Sequence, residues 1–223
     1  MRLLDLFCGA GGAAVGYSRA GFTEIVGVDH KPQPRYPFEF VQADALEYLA
    51  DHGREFDAIH ASPPCQAYSV ANNIHSRTDH PDLVDETRAA LERIGKPWVI
   101  ENVYGSPLIY PALVCGLALG LNVKRHRYFE SSVFLFSTTC PPGHKGNWIL
   151  VFGNSVLERG TKIGVAKGGG PAIKRKHIAT HHAHAAMGIN WMSRKELSQA
   201  IPPAYTEFVG RQLIQSLGRP TNA

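Results

Sequence analysis

Leu3-Leu4-Asp5-Leu6-Phe7-Cys8-Gly9-Ala10-Gly11-Gly12-Ala13-Ala14 decides the fold class of this chain. Leu3 to Phe7 reads as a short buried strand, and a glycine turn follows. A helical pattern then runs through Val15 and Arg19 and stops at Gly21. Gly9, Gly11 and Ala14 form a G-x-G-x-x-A turn between strand and helix. Glycine is needed where the backbone turns sharply and approaches a ligand closely. The helix that begins there offers unpaired N–H groups. Asp29 ends the next apolar run, where a carboxylate can bond ribose hydroxyls. The turn leaves open whether the ligand is a nicotinamide cofactor or S-adenosylmethionine.

Working outward, the α/β alternation continues. Ile25 to Asp29 is a second strand, and Ala43 to His52 has helical spacing. Phe56 to His60 is a strand, Asp82 to Ile94 an amphipathic helix ended by Gly95, and Trp98 to Glu101 another strand. Strands alternating with helices predict a parallel sheet covered on both faces. From Ser131 the pattern changes to glycine-rich sequence with short β-like runs at Val133–Phe136 and Trp148–Phe152. Helical character returns at Ser193–Gln199 and, after Pro202-Pro203, at Ala204–Leu217.

Two candidate chemical groups sit at predicted strand ends, and an arginine pair lies a strand and a turn further on. Ser62-Pro63-Pro64-Cys65-Gln66 follows a buried strand at its carboxyl end, where open α/β sheets place their chemistry. The prolines stiffen the backbone before Cys65, a candidate nucleophile. Glu101 closes an apolar strand, a costly position for a carboxylate without a partner. It is read either as a carboxyl facing a substrate ring or as half of a buried ion pair. Arg125 and Arg127 suit phosphates or carboxylates. Asp44 could bond an adenine amino group, or could simply cap a helix.

Composition narrows the class further. The chain has 223 residues, 44% hydrophobic and 19% charged, with net charge +4. That describes a globular protein with one sizeable core. Its apolar runs are shorter than the ~20 residues a bilayer requires, and no secretion signal is expected. The cysteines at 8, 65, 115 and 140 are widely spaced, which points to free thiols in a reducing compartment. Residues 131–185 contain seven Lys/Arg and one acid, Glu158, a balance that suits a polyanion.

Taken together and in order, these segments resemble the cytosine-C5 DNA methyltransferase family. Asp5 to Gly12 resembles its cofactor loop, Pro64-Cys65-Gln66 its nucleophile loop, and Glu101-Asn102-Val103 its ENV motif. Arg125-His126-Arg127 is similar to the end of its Q-x-R-x-R motif, and Ala200-Ile201-Pro202-Pro203 to its closing motif. The resemblance implies a Rossmann-like, S-adenosylmethionine-dependent methyltransferase sheet with a small irregular, β-containing recognition insert. It implies that Cys65, Glu101, Arg125 and Arg127 are catalytic. The cofactor would be held by Asp5, Phe7, Cys8, Gly9, Ala10, Gly11, Gly12, Asp29, His30, Asp44, Ala45, Pro64, Gln199 and Ala200. The expected substrate is double-stranded DNA, with tRNA as the alternative on the same scaffold and a nicotinamide-dependent oxidoreductase as the alternative of another class. A monomer in the cytoplasm of a prokaryote or of a virus's host is expected, with no membrane partner.

The sequence also departs from the family. Val123 replaces the usual glutamine before the arginines, and Gln199 replaces the usual asparagine of the closing motif. Phe152-Gly153-Asn154-Ser155-Val156 resembles some versions of that motif and is read as coincidence. Ala186 to Trp191 occupies the place of an arginine-rich segment. The expected organisation is a catalytic and cofactor-binding domain at 1–130, a short basic recognition region at 131–185 and a returning segment at 186–223. So short a recognition region predicts loose or very short sequence specificity. Cys140 and His144, with His177, His181, His182 and His184, approach finger spacing. The gap is long and no second cysteine is near, so no metal is assigned.

Overall fold

The computed structural model describes residues 1–64, 83–144, 148–152, 155–158, 163–165, 171–173 and 179–218. Cys65, His177, Gly168-Gly169-Gly170 and all seven basic residues of the 131–185 region lie outside the described residues.

The elements run β1 (Arg2–Leu6), α1 (Gly12–Ala20), β2 (Glu24–Asp29), β3 (Glu39–Gln42), α2 (Ala45–His52), β4 (Ala58–Ala61), α3 (Val84–Ile94), β5 (Trp98–Asn102), β6 (Ala112–Cys115) and β7 (His126–Ser131). They continue with β8 (Ile149–Phe152), β9 (Ser155–Glu158), β10 (Ile163–Val165), β11 (Pro171–Ile173), α4 (Thr180–Met187), α5 (Arg194–Gln199) and α6 (Pro203–Leu217). Seven strands form one sheet in the order β3-β2-β1-β4-β5-β7-β6. The first five are mutually parallel, as the alternation implies. β7 runs antiparallel between β5 and β6, which the alternation does not reveal.

The pleat sends alternate residues of β1 to opposite faces. Leu3 joins Tyr17, Phe22, Tyr205 and Val209 in one core, beneath α1 and α6. Leu4 and Leu6 join Leu49, Ile59, Leu91 and Ile100 in the other, beneath α2 and α3. The sheet is therefore covered on both sides. α6 lies so close to α1 that a Cβ at Gly16 would meet the Pro203 carbonyl oxygen at 2.1 Å. The Thr206 hydroxyl donates to the Ala13 carbonyl at 2.8 Å.

Beyond the sheet, β8 with β9 and β10 with β11 form two small antiparallel pairs, giving the insert its β content. β8 docks beside the segment before β7, through an isolated bridge between Val123 and Ile149. Val123 is fully buried in a third cluster with Val151, Ala183, Met187 and Leu197. Apolar packing thus occupies the position where the family usually has an amide. The run Val133–Phe136, expected to be β, is not a strand. Both edges of β7 are already taken, and the chain meets the free edge of β6 further on, where Ser137 and Thr138 accept from the Leu113 and Cys115 N–H groups. Phe134 and Phe136 are exposed, and the Phe136 N–H donates to the Gln212 side chain instead.

Candidate active site

The carboxyl ends of β1, β2, β4 and β5 face a cavity of ≈ 320 Å³. Pockets that hold cofactors begin at about this size, roughly 300 Å³. One wall is the turn after β1. Phe7, Gly9 and Gly11 all have positive φ (56°, 49° and 82°), and Gly11 caps α1. Two of these positions suit glycine because it has no Cβ to clash there. Phe7, Cys8, Gly9, Ala10 and Gly12 line the cavity. Trp191 closes the outer side of the turn, its indole N–H donating to the Ala10 carbonyl at 2.8 Å.

Asp5 is fully buried beneath this turn and lines the cavity. The Tyr36 hydroxyl donates to one carboxyl oxygen at 3.2 Å, while the other oxygen has no hydrogen-bond partner among the described residues. Burial pushes its pKa well above the usual carboxylate range. A buried acceptor without a partner, in a residue that borders a cleft, is one that a ligand amine or hydroxyl can satisfy. Asp29 accepts from the Gly9 N–H at 3.1 Å and the Lys31 N–H at 2.9 Å, which fixes its carboxylate at the mouth. His30 lies beside it, 3.4 Å from Asp29 Oδ1. The closing wall comes from the far end of the chain, with Gln199, Ala200 and Ile201 among its residues. Glu196 also lines it, held by a capping box with Ser193 and by Arg35 at 3.1 Å.

The opposite end of the cavity carries the second half of the site. Glu101, at the end of β5, is 6% exposed. Arg127 Nε lies 2.7 Å from Glu101 Oε1, placed there by the antiparallel β5–β7 pairing. Burial raises the Glu101 pKa, and the positive charges of Arg127 and Arg125 and a hydrogen bond with Ser62 partly oppose the rise. Ser62, Pro63 and Pro64 border the same space. Asn102 donates to the Pro63 carbonyl at 3.1 Å and accepts from the Val103 N–H at 2.8 Å, so it anchors the segment leading to Cys65.

Behind Glu101 runs a buried polar chain. The Tyr17 hydroxyl is 3.0 Å from His60 Nδ1, and His60 Nε2 is 2.9 Å from Ser62 Oγ. Burial lowers the His60 pKa to about 3, so the imidazole is neutral. A neutral ring accepts from Tyr17 at Nδ1 and donates from Nε2, leaving the Ser62 proton for the Glu101 carboxyl. Sequence reading missed His60, Ser62 and Asn102, although each sits in or next to a strand end already singled out.

Some expected residues lie elsewhere. Asp44 caps α2, accepting from the Leu46 and Glu47 N–H groups at 2.8 and 3.1 Å. Asp44, Ala45 and Gly11 are not among the residues lining the cavity. The same holds for Arg125, whose guanidinium donates to the Val151 and Ser198 carbonyls, both at 2.8 Å. It ties β8 and α5 to the sheet, while Arg127 forms the close ion pair with Glu101 and Arg125 adds a weaker favourable charge. Cys65 follows Pro64 in the chain and lies outside the described residues.

Comparison with known proteins bears on this geometry. Residues 1–105 match the family model described as C-5 cytosine-specific DNA methylase. The type II methyltransferase M.FnuDI of Fusobacterium nucleatum is 33% identical over 85 residues, covering 35% of this chain and 25% of that protein. The type II methyltransferase M.XorII of Xanthomonas oryzae is 30% identical over 146 residues, covering 58% of this chain and 31% of that protein. The chain therefore spans about a quarter to a third of the length of these relatives. A structure described as a DNA modification methyltransferase encoded within an Escherichia coli prophage superposes with a TM-score of 0.64 at 15% identity, covering 98% of this chain and 100% of that one. The Schizosaccharomyces pombe Dnmt2 methyltransferase superposes with a TM-score of 0.62 at 13% identity, covering 98% and 99%. These two likenesses show the fold.

Proposed function

We propose that this chain, which over residues 1–105 belongs to the C-5 cytosine-specific DNA methylase family, methylates C5 of cytosine in double-stranded DNA, with Cys65 as nucleophile. The observation that carries the reading is the single cavity that has the glycine turn and Asp5 at one end and the Glu101–Arg127 pair at the other. A dehydrogenase would use the turn and leave the buried pair, and the Pro63-Pro64 segment beside it, without a task.

The residues present fit S-adenosylmethionine. Asp5 has an open carboxyl oxygen, Asp29 stands at the mouth, and the positive-φ turn brings backbone close to the ligand. Asp5, Phe7, Gly9, Asp29, Gln199 and Ala200 would hold it. When bound, it supplies an electrophilic methyl group on a sulfonium.

The chain's own residues then act on a cytosine flipped out of the duplex. The Cys65 thiolate adds to C6 and forms a carbon–sulfur bond, while Glu101 holds the ring at N3 and shares the proton that relieves the negative charge there. Electron density gathers at C5, which becomes the nucleophile. After methylation the C5 proton leaves to base, and the carbon–sulfur electrons return to Cys65. Arg127 keeps Glu101 oriented beside the ring, and its charge opposes the rise that burial gives the Glu101 pKa. Residues 131–185 form the recognition region, whose seven basic residues neutralise phosphates. One chain supplies every group named, so a monomer suffices.

The test is methyl transfer to unmethylated duplex DNA, followed by bisulfite sequencing at base resolution, with tRNA as competitor. Methylation at cytosine C5 in loosely defined or very short sites is expected. Transfer confined to tRNA would replace the substrate, and a strict six-base-pair site would refute the recognition argument.

A further inference from the structure

Away from the cavity, on the other side of the β6–β7 hairpin, four side chains converge. Cys115 is the last residue of β6 and His126 the first of β7, and the two are directly opposed in the antiparallel register. Cys140 and His144 come from the segment that follows β7. Cys140 Sγ lies 3.6 Å from Cys115 Sγ, 3.4 Å from His126 Nε2 and 2.8 Å from His144 Nε2. The two Nε2 atoms are 3.0 Å apart, and all four donor atoms lie within 4.8 Å of one another.

From this geometry we propose a structural zinc site of the Cys₂His₂ type, formed by Cys115, His126, Cys140 and His144. Zinc binds thiolate sulfur at ~2.3 Å and imidazole nitrogen at ~2.05 Å in a tetrahedron. The edges of such a tetrahedron are about 3.8 Å between sulfurs, about 3.6 Å between sulfur and nitrogen and about 3.3 Å between nitrogens. The sulfur–sulfur edge and one sulfur–nitrogen edge agree with this to about 0.2 Å, and the nitrogen–nitrogen edge to about 0.3 Å. The Cys140–His144 edge is shorter and would open on binding. Two sulfurs and two nitrogens in tetrahedral array select zinc over harder cations. Four protein ligands leave no open position, so the role is structural.

The surrounding backbone is organised to hold these donors. The Cys115 N–H donates to the Thr138 hydroxyl at 2.9 Å, and the Thr138 N–H to the Leu113 carbonyl at 2.8 Å, docking the strand-like approach to Cys140 along β6. A tight turn with left-handed Gly143 and His144 brings His144 back toward Cys140. The Trp148 indole fixes the His144 carbonyl at 2.7 Å. His126 stands between Arg125 and Arg127, so the site would tie the root of β7 to the segment entering the insert. That would steady the strand from which Arg127 reaches Glu101. Sequence spacing hid this because the partners of Cys140 and His144 precede them, at 115 and 126, rather than following at 177–184.

The test is metal analysis of untagged protein purified with reductant. About one zinc per chain is expected, as one closed site holds one ion. Cys115→Ser and Cys140→Ser should each lose it. His181→Ala, outside the cluster, should retain it. Cobalt exchanged into the wild-type protein should give the intense visible bands of tetrahedral cobalt with sulfur-to-metal charge transfer, a readout that does not require a cysteine variant to fold. Wild-type protein with neither bound zinc nor a cobalt spectrum would overturn the proposal. So would stoichiometry unchanged in both cysteine variants, or a Cys115–Cys140 disulfide in the reduced preparation.

Discussion

Replacing Arg127 by alanine should unmask the cost of burying Glu101. The Glu101 side chain is 8% exposed and the Arg127 side chain 14%, with 2.7 Å between Oε1 and Nε. Removing one member of a buried pair costs about 3–5 kcal/mol, because the other charge stays buried without compensation. Arg127 is not fully enclosed and Ser62 still bonds the carboxyl, so the lower end, about 3 kcal/mol, applies. For a chain of this length that is a fall in Tm of roughly 6–12 °C. The pH dependence has a definite sign. Burial already raises the folded-state pKa of Glu101, and losing Arg127 removes the larger opposing charge. A carboxyl with a raised folded-state pKa is penalised while ionised and relieved once protonated. The deficit of Arg127→Ala relative to wild type should therefore be largest at pH 8 and shrink as pH falls through that raised pKa. Urea or thermal unfolding of wild type, Arg127→Ala, Glu101→Gln and the double variant checks this. The double variant should be more stable than the sum of the singles by about 1–3 kcal/mol. A deficit under about 1 kcal/mol that is independent of pH and additive would show a solvated pair and refute the reasoning.

Other outcomes follow from neighbouring contacts. Asn102→Leu frees the Pro63 carbonyl, which should cost about 1–3 kcal/mol and lower kcat more than cofactor affinity, read by single-turnover methyl transfer and equilibrium titration. Gly16→Ala should destabilise by about 1–3 kcal/mol, since its Cβ would meet the Pro203 carbonyl, and thermal melts check it. His60 has a folded-state pKa lowered to about 3, so its contribution is present above about pH 6.5 and lost as pH falls toward 3. His60→Gln should flatten the acid limb of a stability-versus-pH curve in that window, and an unchanged limb would show that other groups set it.

The parallel half of the sheet was legible apart from β3, a four-residue strand with no fully buried position, because the other strands and helices there carry their own apolar period and their own stop, such as Gly21 and Gly95. Glu101 was legible for a different reason, as an acid at the end of an apolar strand. What the sequence hid depends on contacts between distant segments. The antiparallel insertion of β7 between β5 and β6 leaves no local signature, yet it is what brings Arg127 to Glu101. Arg125 and Arg127 look alike in sequence, but one donates to the Val151 and Ser198 carbonyls and the other meets the carboxylate. Asp44 illustrates the reverse case, where the plainer expectation of a helix cap describes its contacts. Val133–Phe136 has strand composition, but β7 already has a neighbour on each side, and the chain reaches the β6 edge at Ser137 and Thr138, largely through side-chain oxygens.

The central claim is that Cys65 attacks cytosine in this site. The most direct measurement uses duplex DNA carrying 5-fluorocytosine, in which fluorine blocks proton removal at C5 and traps the adduct. With S-adenosylmethionine present, the account predicts a denaturant-stable protein–DNA complex whose crosslinked peptide carries the nucleotide on Cys65, and no such complex with Cys65→Ala. Methyl transfer to cytosine with no trapped species, or a complex that persists in Cys65→Ala, would contradict it.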